Sequence, residues 1–82
     1  MAKKTFGTTV KIMREDRGYS MRAFAIAIGM DPSNWHKIEN DIKTAPNQSK
    51  LDDIADVLEL GSLTRRVIFK LAKESWIQSK MK

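Results

Sequence analysis

The chain has 82 residues, 15 Lys and Arg against 10 Asp and Glu, a formal net charge of +5 and a sequence pI near 9.8. A chain of this length is expected to form one small domain with a modest core, and its basic balance permits a polyanionic partner without requiring one. There is no cysteine, which excludes disulfides and thiolate metal sites, and nothing approaches the ~20 apolar residues of a membrane span. Met1 to Gly7 carries charge with no apolar run behind it, so it does not read as a signal peptide. The expectation is a cytoplasmic protein with no metal and no cofactor.

In chain order, residues 1–4 read as a basic, frayed arm. Helix 1 is expected from about Phe6 to Arg17, with Phe6, Val10 and Met13 as its buried stripe and Gly18 as its stop. Tyr19 is expected to pack beside the corner that follows. Ser20 is a good N-cap for helix 2, in which Phe24, Ala25 and Ile28 recur at helical spacing. Gly29 supplies the left-handed backbone of a helix end. Asp31 and Pro32 restart the chain as an acidic N-cap followed by proline at the first helical position. In helix 3, Trp35 and Ile38 point inward and leave Ser33, Asn34, His36 and Lys37 outward. Two short helices around a glycine turn, the second presenting polar side chains, make a helix-turn-helix pattern. Residues 41–46 read as a loop with Ile42 as its apolar plug. Helix 4, from about Asn47 to Leu58, should bury Leu51, Ile54, Ala55 and Leu58 and expose Asp52, Asp53 and Asp56, with Glu59 just beyond. Gly61 breaks the chain, and Ser62 caps a last helix reaching about Ser79. The fold class is all-α: five helices in one domain over residues 1–82, with a core at 6–60.

The last helix has more apolar positions than one face needs. At 100° per residue, Leu63, Val67 and Leu71 share one arc, while Ile68, Phe69, Ala72 and Trp76 share another. Either both arcs are buried in the monomer, or one closes the core and the other meets a second copy. Ile68, Phe69, Ala72 and Trp76 are the candidate seam of a homodimer. Arg65, Arg66, Lys70, Lys73, Lys80 and Lys82 read as a solvated face.

The stretches M-R-E-D-R-G-Y-S, A-F-A-I-A-I-G-M and I-E-N, then Pro46 and L-D-D-I-A-D-V-L, resemble the Cro and phage-repressor (XRE) family over about residues 6–60. The resemblance implies a lambda-repressor-like, DNA-binding domain. In that family an Arg on helix 1 pairs with a Glu at the end of the recognition helix, and Arg14 and Glu39 fall on those positions. The family's backbone contacts map onto Ser20, Asn40, Lys43, Thr44 and Asn47, all able to donate to a phosphate oxygen, with Arg22 and the Lys3–Lys4 arm as additions. For Ser20 and Asn47 capping alone is the competing role.

A helix entering the major groove end-on reads bases with its first outward residues, which here are Pro32, Ser33, Asn34 and, one turn later, Lys37. His36 either approaches a phosphate or is a surface histidine without a role. Many family members have Gln where this chain has Met21 and Pro32, and Gly where it has Asp41, which places a negative charge near the phosphate track. The expected function is a sequence-specific, double-stranded-DNA-binding regulator, a repressor, associated with the nucleoid through that binding. With one histidine, no cysteine and an acidic cluster that reads as a solvated helix face, catalysis is not expected. The alternative is an antitoxin-like member of the same family that binds a toxin-like partner through helix 5 or the acidic face of helix 4.

Overall fold

The computed structural model describes residues 4–80, with side-chain surroundings through residue 78. It contains five α-helices: α1 Phe6–Asp16, α2 Met21–Ala27, α3 Pro32–Glu39, α4 Gln48–Val57 and α5 Ser62–Lys80. Lys3 of the basic arm, the side chain of Lys80, and Lys82 lie outside the described residues. Each of the first four helices starts on a side chain that accepts a bond from the first turn. Thr5 accepts from the Thr8 amide at 3.1 Å, and the Thr8 hydroxyl returns the favour to the Thr5 amide at 3.0 Å. Ser20, Asp31 and Asn47 accept from Ala23, Asn34 and Lys50 at 3.1, 3.2 and 3.0 Å. These bonds satisfy amides that have no partner within the helix.

The same four helices end alike, with one residue in the left-handed region: Gly18 (φ 78°), Gly29 (70°), Asp41 (59°) and Glu59 (53°). After α2, α3 and α4 the next amide reaches back to close the turn, with Met30 N–H on the Ala25 carbonyl at 2.8 Å, Ile42 on Lys37 at 2.8 Å and Leu60 on Ala55 at 3.0 Å. That closure satisfies the last carbonyls and outweighs the ~1 kcal/mol that a side chain costs at Asp41 and Glu59. Gly61 was the expected break before the last helix, yet the left-handed residue there is Glu59. Gly61 instead stands at the cap position of α5, its carbonyl accepting from the Arg65 amide at 2.9 Å. Ser62 is therefore the first residue of the helix and not its cap.

The core gathers Val10 of α1, Phe24 of α2, Trp35 of α3, Leu51 and Ile54 of α4, Leu58 just past it and Ile68 of α5, all essentially inaccessible. Tyr19 meets Phe24 edge-on at 5.6 Å between ring centres, and Phe24 meets Trp35 at 5.3 Å. Two expectations fail here. Ile42 is 69% exposed, and the residue that plugs the loop is Ala45 at 6%. Its amide donates to Ser75 Oγ at 3.0 Å and its carbonyl accepts from Trp76 Nε1 at 2.8 Å, so α5 draws the loop inward at Ala45.

The second correction concerns the face of α5. Ile68 and Ala72, half of the expected dimer seam, are fully buried in the monomer's own core, with Phe69 and Trp76 half-buried beside them. A residue already enclosed by its own chain has no surface to offer a second copy. The arc left outward carries Leu63, Val67 and Ile77, at 75%, 43% and 54% exposure.

Candidate nucleic-acid interface

Helix α3 has one face that is locked and one that is open. On the inner side Trp35, Ile38 and Glu39 are buried. Glu39 reaches Arg14 of α1 through two hydrogen bonds, from Arg14 Nε to Oε2 at 2.6 Å and from Nη2 to Oε1 at 3.1 Å. Arg14 spends a third donor, Nη1, on the Tyr19 carbonyl at 2.7 Å, so one guanidinium ties α1, the start of α2 and α3 together. The bond to Glu39 raises the Arg14 pKa against the opposing effect of burial, so the guanidinium keeps its charge. Glu39 takes a further bond from the Trp35 indole at 2.6 Å, a contact at i, i+4 that sequence reasoning missed although its spacing was visible.

Gly7 was also missed. It is buried where α1 crosses the end of α3, and a methyl group there would lie 2.5 Å from the Ile38 carbonyl oxygen and 2.7 Å from that of Glu39. The absence of a Cβ lets the two backbones touch. Just above, the Thr5 hydroxyl donates to Asp41 Oδ2 at 2.9 Å. Asp41 therefore brings its negative charge to the N-terminus of α1, which has no acidic residue in its own first turn. That placement gives the aspartate a structural role at the crossing of α1 and α3.

The outer side is polar and accessible. Ser33, Asn34, His36 and Lys37 are exposed, and Pro32 is half-exposed at the helix start. Lys43, from the loop behind α3, donates through Nζ to Asn34 Oδ1 at 2.7 Å. Asn40 donates to the His36 carbonyl at 2.8 Å and so finishes the helix. Thr44, Arg22, Ser20 and Asn47 are exposed as well, the last two with their side-chain oxygens occupied as caps. Met21 is half-buried against the core, so most of it is spent on packing. The glycine turn is braced from α4, where Lys50 Nζ donates to the Ile28 carbonyl at 2.6 Å.

Elsewhere on the surface, the acidic residues of α4 are occupied by cations of the same chain. Arg65 holds Asp56 at 2.5 Å and stands 4.0 Å from Asp52, Lys50 is 3.6 Å from Asp53, and Arg17 is 3.4 Å from Glu59. Arg65 thus leaves the solvated basic face in which the sequence placed it. Among the described residues no group of three or more His, Asp or Glu could hold a metal ion. No helix among them is long and apolar enough to cross a membrane.

Comparison with known proteins agrees with this geometry. No curated protein sequence matches the chain at a significant level. Among solved structures, the chain is similar to the N-terminal DNA binding domain of SinR from Bacillus subtilis, with 28% identity and a TM-score of 0.64, over 73% of this chain and 87% of that one. A family model described as a helix-turn-helix domain matches residues 5–67, from the cap of α1 into α5. The two short helices around Gly29, held by the Arg14–Glu39 brace, lie within that match, and the chain belongs to the helix-turn-helix domain family.

Proposed function

We propose that this protein is a sequence-specific double-stranded-DNA-binding regulator, a repressor, that enters the major groove with the first half of α3. The observation that carries the reading is the division of that helix. Its inner face is fastened to α1 by Arg14, Trp35 and Glu39, while Ser33, Asn34 and Lys37 are exposed on its outer face, the Asn34 side chain bonded to Lys43 alone. A rigid helix with exposed polar side chains is what base-edge recognition requires. The likeness to the SinR DNA binding domain supports the same reading. Ser20, Arg22, Asn40, Thr44 and Asn47 are exposed and would supply donors for phosphates, which position the domain without reading sequence. Occupying the groove over a promoter is sufficient for repression.

The test is binding to duplex DNA across a salt titration. Released counterions should make log K fall with log salt by about 0.9 per phosphate neutralised, for about three to six phosphates per subunit. A flat titration overturns the reading. A reporter whose promoter carries the selected site should lose expression when the protein is made, and a gain would reverse the sign of regulation.

Two half-sites one helical turn apart give such a domain affinity that one cannot, and the exposed arc of α5 supports a homodimer. Leu63, Val67 and Ile77 form an apolar stripe interrupted by exposed Lys70 and Glu74. Two such helices packed antiparallel about residue 72 set each Lys70 against the other Glu74 and each Val67 against the other Ile77. Sedimentation of Val67→Glu against the parent chain checks this: a parent chain that is a monomer at all concentrations would remove the dimer, and a variant as dimeric as the parent would remove this arc from it. The acidic face of α4 carries the cations Arg17, Lys50 and Arg65, which an antitoxin-like contact with a partner protein would have to displace.

A further inference from the structure

The contact between Lys43 and Asn34 joins a residue of the loop to a residue at the reading end of α3. The loop is folded back by the Ile42 and Lys43 amides, which both donate to the Lys37 carbonyl, at 2.8 and 3.2 Å. That fold carries the Lys43 ammonium to 2.7 Å from Asn34 Oδ1. The orientation of the carboxamide follows from chemistry, because an ammonium has only donors and must face the oxygen. The Asn34 backbone amide is itself fixed on Asp31, at 3.2 Å.

An asparagine that recognises adenine uses both ends of its amide, accepting from the N6 amino group and donating to N7. Here the accepting end already holds a cation. An adenine amino group approaching the same oxygen would bring a second donor up against the ammonium. What remains to the pair is the Asn34 Nδ2 amine, the unused ammonium hydrogens and one Oδ1 lone pair held beside a positive charge, so that donors predominate. In the major groove guanine presents two neighbouring acceptors, O6 and N7, whereas adenine presents one acceptor and one donor.

We infer that Asn34 and Lys43 act as a single donor pair that selects guanine, so that Lys43 determines specificity instead of merely holding a phosphate. The inference rests on the reading of α3 as the groove-entering helix. Lys43 sets the hydrogen-bonding character of Asn34 and thereby the base it accepts.

Selection from a randomised duplex library, with the parent chain, Asn34→Ala and Lys43→Met, tests it. Both side chains are exposed and neither supports the core, so unchanged thermal melts should accompany all three proteins. The parent chain should show a guanine column that Asn34→Ala flattens. Lys43→Met frees the asparagine oxygen and should turn that column toward adenine, changing the guanine-to-adenine ratio about ten-fold or more, the size of one good bidentate contact. Adenine in the parent column overturns the inference. So does a Lys43→Met profile that keeps guanine while binding weakens equally on all sequences, since that is the behaviour of a phosphate contact. If the parent chain selects no sequence at all, the groove-entering reading fails and the inference falls with it. A selected site that is unchanged in Lys43→Met sinks the inference alone.

Discussion

The two faces of α3 are made from eight residues of one helix, yet they answer to opposite demands. The inner face leaves nothing adjustable: Trp35 and Glu39 are buried, and Glu39 accepts three hydrogen bonds from two side chains. On the outer face every polar side chain is exposed, and the one partner Asn34 has is a mobile-stemmed lysine. Precision of reading depends on how little the helix itself can move. Side chains that must reshape around a base can do so only if their backbone does not follow. Stability and specificity are therefore divided between the two sides of about two turns of helix.

Substitutions should separate the faces by size of effect. Glu39→Ala should have the largest, destabilising the fold by about 3–5 kcal/mol, because it leaves the nearly buried Arg14 guanidinium without its counter-charge. Chemical denaturation measures it, and adding Arg14→Met should recover part of the loss, since the buried charge is then gone. Strict additivity in that cycle would mean that the pair does not couple α1 to α3. Gly7→Ala should follow at about 1–3 kcal/mol, as a methyl 2.5 Å from a backbone carbonyl oxygen forces α1 away from α3. The shift should show as altered chemical shifts at Ile38 and Glu39, and an unperturbed spectrum would place the helices farther apart than here. Trp35→Phe keeps most of the apolar volume but removes one donor from the Glu39 carboxylate, and about 1–2 kcal/mol of thermal stability should go with it. Lys37→Ala, on the outer face, should change stability by less than about 0.5 kcal/mol. It should nevertheless flatten one column of the preferred site and cost about 1–3 kcal/mol of binding there. If Lys37→Ala unfolds the protein as readily as Trp35→Phe, the division of the helix is wrong.

What could be read in the sequence was what short range decides. Ser20, Asp31 and Asn47 are caps because a side chain three residues from an unpaired amide can reach it whatever the rest of the chain does, and Gly29 is a turn for a similarly local reason. Where the structure differs, distant residues had the deciding vote. Ile42 is the larger apolar residue of its loop and was the natural plug, but left-handed Asp41 and the bonds that Ala45 makes, donating to Ser75 and accepting from Trp76, turn the chain the other way. The two arcs of α5 have nearly equal apolar content, so periodicity alone could not say which faces inward. The decision comes from Trp76, whose indole needs an acceptor and finds the Ala45 carbonyl across 31 residues. Of the outward residues on α3, the sequence placed all four, yet it treated Asn34 and Lys43 as separate kinds of contact. Only the folded loop brings those two together.

The two tryptophans, described so far as parts of the packing, also make the protein its own optical instrument. Trp35 is sealed in the core against a carboxylate, whereas Trp76 is half-buried with its indole on the loop carbonyl of Ala45. A sealed indole emits at shorter wavelength and resists soluble quenchers, and a half-open one does neither as well. Emission from Trp35 therefore follows the helix-turn-helix, and emission from Trp76 follows the docking of α5. With one tryptophan removed at a time, an emission curve that coincides with the helical circular-dichroism curve of the same variant would show that the last helix and the DNA-facing unit melt together. In the variant that keeps only Trp76, emission that changes before its own helical signal would show that α5 lifts away while the rest of the domain is still intact.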